Sequence, residues 1–172
     1  MAKIPSDVVT HLAWTFESVL PGSFRRSKQA FAGIDFPILA PLPSGNTATE
    51  PVEGANEVGP FVYFVSDRLG EVHYVGKSKE KTVIRRWVRP GTGGPATHYW
   101  SHTNKSAGCV RRMAEGIRSG QGPFTLRFVS VAALPLHYLD RFFLRHPEPD
   151  VLESIEKGFI SLLNPTWNMS GR

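Results

Sequence analysis

Apolar side chains near the N-terminus recur every three or four residues, as they do on one face of an amphipathic helix. The positions that share this spacing are Val8, Leu12, Phe16 and Val19. Ser6 precedes them at a place suited to an N-cap, and Pro21 and Gly22 interrupt the pattern. We therefore predict a helix over residues 6–20 that packs its apolar face on the rest of the chain.

Residues 40–58 show no apolar period and are rich in Pro, Gly, Ser, Thr and Asn. This composition is typical of a loop or linker. On the sequence, the chain therefore divides into a helical extension with its linker, at residues 1–58, and a folded domain at residues 59–172.

A change of pattern after this linker predicts a β-hairpin. Residues 61–66 and 72–75 are short apolar runs rich in β-branched and aromatic side chains, and residues 67–70 between them have turn composition. A basic helix is predicted next, from residue 78 or 79 to residue 88, because Pro90 and several glycines follow it.

The last third of the chain is predicted to contain further helices and one more strand. The expected elements are a helix at 109–119, a strand at 124–131, a helix at 136–144 and a final helix after residue 150. Asp150 and Glu153 have the spacing of a capping box, and Pro165 ends the final helix. The predicted fold class is α+β: a small antiparallel three-stranded sheet flanked by helices, with an N-terminal helical extension.

The composition is that of an ordinary folded protein, with 41% hydrophobic and 20% charged residues among 172. Asp7, His11 and Glu17 interrupt the apolar positions near the N-terminus, which argues against a secretory leader. Cys109 is the single cysteine, so an internal disulfide cannot form. We expect a cytoplasmic protein with no membrane contact.

The chain is basic, with a formal net charge of +5, as is typical of proteins that bind a polyanion. The cations form two groups: Lys77, Lys79, Lys81, Arg85, Arg86 and Arg89, then Lys105, Arg111, Arg112 and Arg118 beside Tyr99 and Trp100. Cations mixed with aromatic rings suit phosphate contacts and base stacking, so we expect DNA as a partner, single-stranded or duplex, with RNA as a further candidate. Two solvated helix faces would give the same pattern.

Two tyrosines, an arginine, a glutamate and an asparagine occur in a suggestive order along the chain. Their segments are Val62-Tyr63, Tyr74-Val75-Gly76, Arg86 between Val83 and Trp87, and Glu156 with Asn168 after Pro165. In order and local sequence these segments resemble the motif of the GIY-YIG nuclease family, and the resemblance covers residues 59–169.

The chain departs from the family pattern at three points. Phe61 stands where the first glycine is usual, and the stretch from Gly76 to Arg86 is about two residues longer than in many members. Arg85 therefore remains an alternative to Arg86 as the catalytic arginine. Pro90 occupies the position at which some members have a histidine.

The resemblance implies a metal-dependent endonuclease that hydrolyses DNA phosphodiester bonds, of restriction, mobile-element or repair type. By resemblance, Glu156 would hold one divalent cation, Mg²⁺ or Mn²⁺, and Tyr63 would position or deprotonate the attacking water. Tyr74 would assist at the phosphate, Arg86 would contact the scissile phosphate, and Asn168 would orient the site by hydrogen bonding. The helical period also puts Glu156 at the margin of the apolar arc of the last helix, unlike Glu153 on its polar face.

Substrate-binding candidates are the cations and one histidine near these segments. They are Lys77, Arg85, Arg89, His102, Lys105, Arg111 and Arg112. His98 and His102, four residues apart, could share a metal with Cys109, but the segment is rich in Gly, Ser and Thr and offers no fourth ligand at zinc spacing. A contact with substrate is the preferred interpretation of these histidines.

Two other functions are compatible with the sequence. The departures at Phe61 and in the lengthened segment would suit a nucleic-acid-binding module that has lost catalysis on the same scaffold. A protein-interaction domain with incidental charge is the second alternative. For a nuclease, a single active site cuts one strand per visit, so cleavage of a duplex would require a homodimer or two successive nicks.

Overall fold

The structure is a computed structural model that describes residues 2–25, 35–42, 51–91, 94–98 and 109–168. Within these ranges it has seven strands, four α-helices and one short 3-10 helix at Val131–Ala133. The strands are β1 (His11–Arg25), β2 (Asp35–Leu42), β3 (Phe61–Ser66), β4 (Val72–Ser78), β5 (Val88–Gly91), β6 (Gly94–His98) and β7 (Phe124–Ser130). The helices are α1 (Val83–Trp87), α2 (Cys109–Arg118), α3 (Leu136–Arg145) and α4 (Val151–Leu163).

The seven strands form one sheet in the order β4-β3-β7-β1-β2-β6-β5, and every described pairing is antiparallel. The α+β class is thus confirmed. The predicted three-stranded sheet corresponds to β4, β3 and β7, and it is too small because β1, β2, β6 and β5 extend it beyond β7. None of the helices in the described ranges is long and apolar enough to cross a membrane.

The N-terminal segment is a central strand, so the predicted helix at residues 6–20 is wrong. A register shift between Leu12 and Trp14 makes a bulge in β1, and Ala13 and Trp14 are both buried in consecutive positions. That irregularity breaks the alternation expected of a strand. Two further irregularities lie between Phe16 and Ser18 and between Val19 and Ser23, and the latter accommodates Pro21-Gly22 within the strand.

The linker prediction is only partly right. Strand β2 includes residues 40–42, while residues 51–58 have neither helix nor strand and residues 43–50 lie outside the described ranges. Backbone bonds from Val52 and Glu53 to the carbonyls of Ala13 and Leu12 tie this irregular segment to β1.

The hairpin, the helix at α2, the strand β7 and the helices α3 and α4 are confirmed close to their predicted bounds. The basic helix is shorter than predicted, because β4 runs to Ser78 and the Lys81 carbonyl accepts a hydrogen bond from the Gly59 amide. After Trp87 the chain continues as β5 and returns as β6, where the sequence had indicated only a glycine-rich loop.

The sheet is covered on both faces, and β3 is buried along its whole length. Phe61, Tyr63 and Val65 belong to a core shared with α1 and α2, which we call the first face. Val62 and Phe64 belong to a core shared with α3 and α4, the second face. On the second face a Cβ at Gly158 would lie 2.1 Å from the Phe142 ring, so this glycine lets α3 and α4 approach closely.

Candidate functional site

Tyr63 lies on the first face, and its ring extends over the neighbouring edge strand β4. It pairs in register with Gly76, and a Cβ atom at residue 76 would lie 2.4 Å from the Tyr63 hydroxyl oxygen. No real Cβ could occupy that position. The glycine of the second motif half therefore leaves room for the tyrosine of the first.

The two motif tyrosines are neighbours in space. Tyr74 stacks against Tyr63 with ring centroids 6.2 Å apart and an angle of 29° between the ring planes. Trp87 of α1 meets Tyr63 edge to face at 5.3 Å. The structure thus brings the hairpin and the arginine-bearing helix to one aromatic cluster.

A bulge in the hairpin directs two consecutive residues of β4 to the same face. The register shifts between the Val65–Tyr74 and Ser66–Val72 pairs. As a result Tyr74 packs on the first-face core, and the His73 ring is also there, 6.1 Å from Phe124.

The two candidate arginines are consecutive residues of α1. Arg85 is exposed, and its backbone amide donates to the Thr82 hydroxyl at 3.4 Å. Residue 86 lies three positions after the buried Val83 and directly before the buried Trp87, which places its Cα nearer the packed side of the helix. The side chain of Arg86 lies outside what the structure describes.

Glu156 is placed at β4 by Lys77. Lys77 pairs with Val62, so its side chain lies on the second face, where its Nζ is 2.9 Å from Glu156 Oε2. The same Nζ is 3.5 Å from Glu153 Oε2. Lys77, predicted to bind substrate, therefore occupies the space between two carboxylates of α4.

Asn168 binds the outer edge of β4. Its Oδ1 accepts from the Val75 amide at 2.7 Å, and its Nδ2 donates to the Val75 carbonyl at 2.8 Å. The Trp167 amide donates to the His73 carbonyl in the same way, at 2.8 Å. The C-terminal segment thus supplies hydrogen bonds that a further strand would otherwise make.

These contacts converge on a short stretch of β4, from Val75 to Lys77. The Tyr63 hydroxyl lies at Gly76 on the first face, Glu156 reaches Lys77 on the second face, and Asn168 holds Val75 at the edge. Segments far apart in the chain therefore contact three consecutive residues of one strand, from its two faces and from its edge.

His73 and Asp67 form a second polar pair that the sequence did not indicate. His73 Nε2 lies 3.0 Å from Asp67 Oδ2, and its Nδ1 lies 3.2 Å from the Thr166 hydroxyl. Burial alone would raise the pKa of Asp67, but bonds from His73 and from the amides of Glu71 and Leu69 outweigh it and leave the pKa below its usual value. In the sequence, the only indication of this pair is that His73 directly precedes Tyr74.

Acidic groups of the α4 region neutralise part of the first basic group. Lys79 contacts Asp150 at 2.6 Å, and this hydrogen bond raises the pKa of Lys79 and lowers that of Asp150. Asp150 also caps α4 by accepting from the Leu152 amide, as predicted. The Glu153 carboxylate contacts Lys77 and Lys157, which differs from the predicted capping-box role.

The other substrate-binding candidates are divided by location. Arg111 and Arg112 line a groove of about 490 Å³ beside Trp167. The side chain of Arg89 and the whole of His102 and Lys105 lie outside the described part of the chain.

The described residues include no cluster of three or more His, Cys, Asp or Glu that could hold a metal. Cys109, considered for zinc, is buried in the first-face core. A hard divalent cation that keeps most of its waters needs fewer protein ligands, and Glu156 offers it one carboxylate. The Lys77 ammonium stands between Glu156 and Glu153, so a divalent cation bound by Glu156 would have to displace it.

Comparison of the chain with protein-family models, with curated proteins and with solved structures finds no match in any of the three.

Proposed function

We propose that the protein is a metal-dependent endonuclease of the GIY-YIG type that hydrolyses phosphodiester bonds in DNA. The observation that carries this proposal is the convergence of Tyr63, Glu156 and Asn168 on residues 75–77 of β4. The ordered motif in the sequence and the stacked tyrosine pair support it further. The ordered motif and the stacked tyrosines are local features, and they support the proposal without sequence similarity to a known protein along the whole chain.

The proposed chemistry needs a positioned water, a counter-charge for the phosphate and help for the leaving oxygen. The Tyr63 hydroxyl would orient the attacking water, or its phenolate form would accept the proton of that water, as the water oxygen bonds to phosphorus and an ester P–O bond breaks. Tyr74, stacked on Tyr63, would contact the phosphate from the same face. A bound Mg²⁺ or Mn²⁺ would supply charge for the developing negative oxygen, and Glu156 would hold it.

The arginine role is assigned to Arg86 in this proposal. Arg86 is preferred because it follows the buried Val83 by three helical positions and directly precedes the buried Trp87, whereas Arg85 is exposed. A guanidinium there would bind two phosphate oxygens with its planar pair of N–H donors.

A catalytically inactive nucleic-acid-binding module is the second candidate, and two observations favour it. Tyr63 is only 1% exposed, so water and phosphate reach its hydroxyl only if the neighbouring groups move. Lys77 holds the Glu156 carboxylate that a metal would use. Both observations are compatible with catalysis only if substrate or metal displaces these contacts.

Cleavage assays separate the two candidates. Single-stranded DNA, duplex DNA and RNA of the same sequence are incubated with the protein in Mg²⁺, in Mn²⁺ and in EDTA. A nuclease cuts at least one substrate with metal and none in EDTA, and Tyr63→Phe slows the cutting. Salt-sensitive binding without cleavage in either metal would instead identify the inactive module. No binding to any of these nucleic acids would support a protein-interaction domain.

The single buried Cys109 suits a reducing, cytoplasmic compartment, and localisation there remains part of the proposal. Duplex cleavage by this one site would need a homodimer or two successive nicks.

A further inference from the structure

A groove on the first face has the size and chemistry of a nucleotide-binding site. It is lined by Arg111, Arg112, Glu115, Ser119, Gln121 and Trp167. Its volume of about 490 Å³ falls within the range of roughly 300–1,000 Å³ that is typical of small-molecule sites. The proposed nuclease chemistry uses none of these six side chains.

Trp167 forms one wall of the groove, and its ring is already fixed. It stacks on His73 with centroids 5.1 Å apart and an interplanar angle of 25°, and it packs against Phe124 at 5.3 Å. His73 is held in turn by Asp67 and Thr166. A partly exposed indole held on one side can receive a base without losing further conformational freedom.

The remaining lining suits the other parts of a nucleotide. Two arginines and one glutamate give the lining a net positive charge, as a phosphate requires. The Gln121 amide is able to donate and accept hydrogen bonds at a base edge. The Ser119 hydroxyl donates to the Gly116 carbonyl at 3.1 Å and keeps its capacity to accept.

We infer that this groove binds one unpaired nucleotide of the substrate strand, with its base stacked on Trp167 and its phosphate against Arg111 and Arg112. The inference rests on the proposed function, because it concerns the same substrate. Trp167 stacks on His73, the residue next to Tyr74, so the bound nucleotide lies on the same face as the tyrosine pair. The preferred substrate class is therefore single-stranded nucleic acid, since a base within a regular duplex is stacked on its neighbours and cannot enter.

The test is equilibrium binding of a labelled single strand and of its duplex, measured by fluorescence anisotropy in EDTA so that no cleavage occurs. Trp167→Ala should weaken binding of the single strand by about 5- to 150-fold, the loss typical when one base loses an aromatic partner. Duplex binding should change much less. Trp167→Phe should retain most of the affinity, and Phe143→Ala, at an exposed aromatic of α3, should retain all of it.

Single abasic sites placed along the strand identify the bound nucleotide. In the wild-type protein one position should weaken binding when its base is removed, and that effect should disappear in Trp167→Ala, because the two changes remove the same contact. Equal loss for single strand and duplex, or an abasic effect that persists in Trp167→Ala, would overturn the inference. Thermal unfolding of each variant excludes a general loss of structure.

These outcomes are independent of catalysis. Binding that depends on Trp167 in a protein that does not cut would support the groove and refute the nuclease. Metal-dependent cutting by a protein whose binding is unchanged in Trp167→Ala would refute the groove and leave the nuclease standing.

Discussion

The hydroxyl oxygen of Tyr63 lies within 2.4 Å of where a Cβ atom of Gly76 would be. Gly76 is not one of the glycines with a positive φ angle. A glycine is required at this position because the tyrosine ring needs the space, and not because the backbone conformation demands one. This contact explains physically why the position of β4 that pairs with Tyr63 is a glycine.

Gly76→Ala should displace the Tyr63 ring. Overpacking of this kind costs about 1–3 kcal/mol of unfolding free energy. Cleavage should fall by roughly a hundredfold, because a catalytic group misplaced by about 1 Å loses that much rate. The measurements are chemical denaturation and single-turnover cleavage of whichever nucleic acid the wild-type protein cuts in the cleavage assays.

A double-mutant cycle with Tyr63→Phe distinguishes displacement of the tyrosine from general damage. If Gly76→Ala acts through the Tyr63 hydroxyl, the double variant should cut no more slowly than the slower single variant. Losses that simply add would show that Gly76 and Tyr63 act separately.

Lys77→Met should tighten divalent-metal binding. The substitution removes an ammonium 2.9 Å from Glu156 Oε2 while it keeps most of the apolar side chain. An ion pair of this kind contributes up to about 1 kcal/mol, so the Kd for Mn²⁺ should fall by up to about fivefold. Calorimetric titration measures the Kd, with Lys157→Met as a control that removes a lysine bonded to Glu148 and Glu153. Weaker binding in Lys77→Met would mean that Lys77 assists the metal.

Arg86→Ala should slow cleavage by about 10²- to 10³-fold, the usual cost of removing a donor that stabilises charge in the transition state. Arg85→Ala should cost about fivefold or less, as an exposed charge near the substrate does. Single-turnover rates for both variants at saturating metal give the comparison. The reverse order of effects would assign the catalytic role to Arg85.

Asp67→Asn should destabilise the fold at neutral pH by about 1 kcal/mol, because an amide makes weaker hydrogen bonds than the carboxylate. The pKa of Asp67 lies below its ordinary value of 3.8 in the folded protein. The carboxylate's contribution is therefore complete above pH 3.8 and is lost as the pH falls below that value through the folded-state pKa. Denaturant titrations from about pH 6 to about pH 2.5 should show the wild type and the variant converging at the acidic end. A constant difference would contradict the assigned charge state.

The sequence predicts the structure correctly where the residues of a single helix or hairpin determine the pattern of apolar positions. Two apolar, β-rich runs with a turn between them predict the hairpin, and the hairpin puts Tyr63 and Tyr74 on adjacent strands. Helix α4 has a clear apolar arc and a capping Asp150, so Glu156 could be placed at its margin.

The sequence was uninformative where distant segments or local irregularities decide the structure. The bulge between Leu12 and Trp14 disrupts the alternating pattern from which β1 could be predicted. The strand that pairs with it, β7, lies more than 100 residues further along the chain. The ion pair of Lys77 with Glu156 and the two bonds between Asn168 and Val75 also join distant positions. Spacing along one segment carries no information about such contacts, and the stacking of Trp167 on His73 is another that it cannot predict.

The most direct test of the proposed site compares two glutamates one turn apart on α4. Glu156→Gln and Glu153→Gln each remove one carboxylate that contacts Lys77, but only Glu156 is assigned to the metal. Cleavage is measured over a range of Mn²⁺ concentrations for the wild type and both variants. The proposal predicts that Glu156→Gln abolishes metal-dependent cutting while Glu153→Gln retains it. Equal cutting by Glu156→Gln and the wild type, or its loss only in Glu153→Gln, would contradict the proposed site.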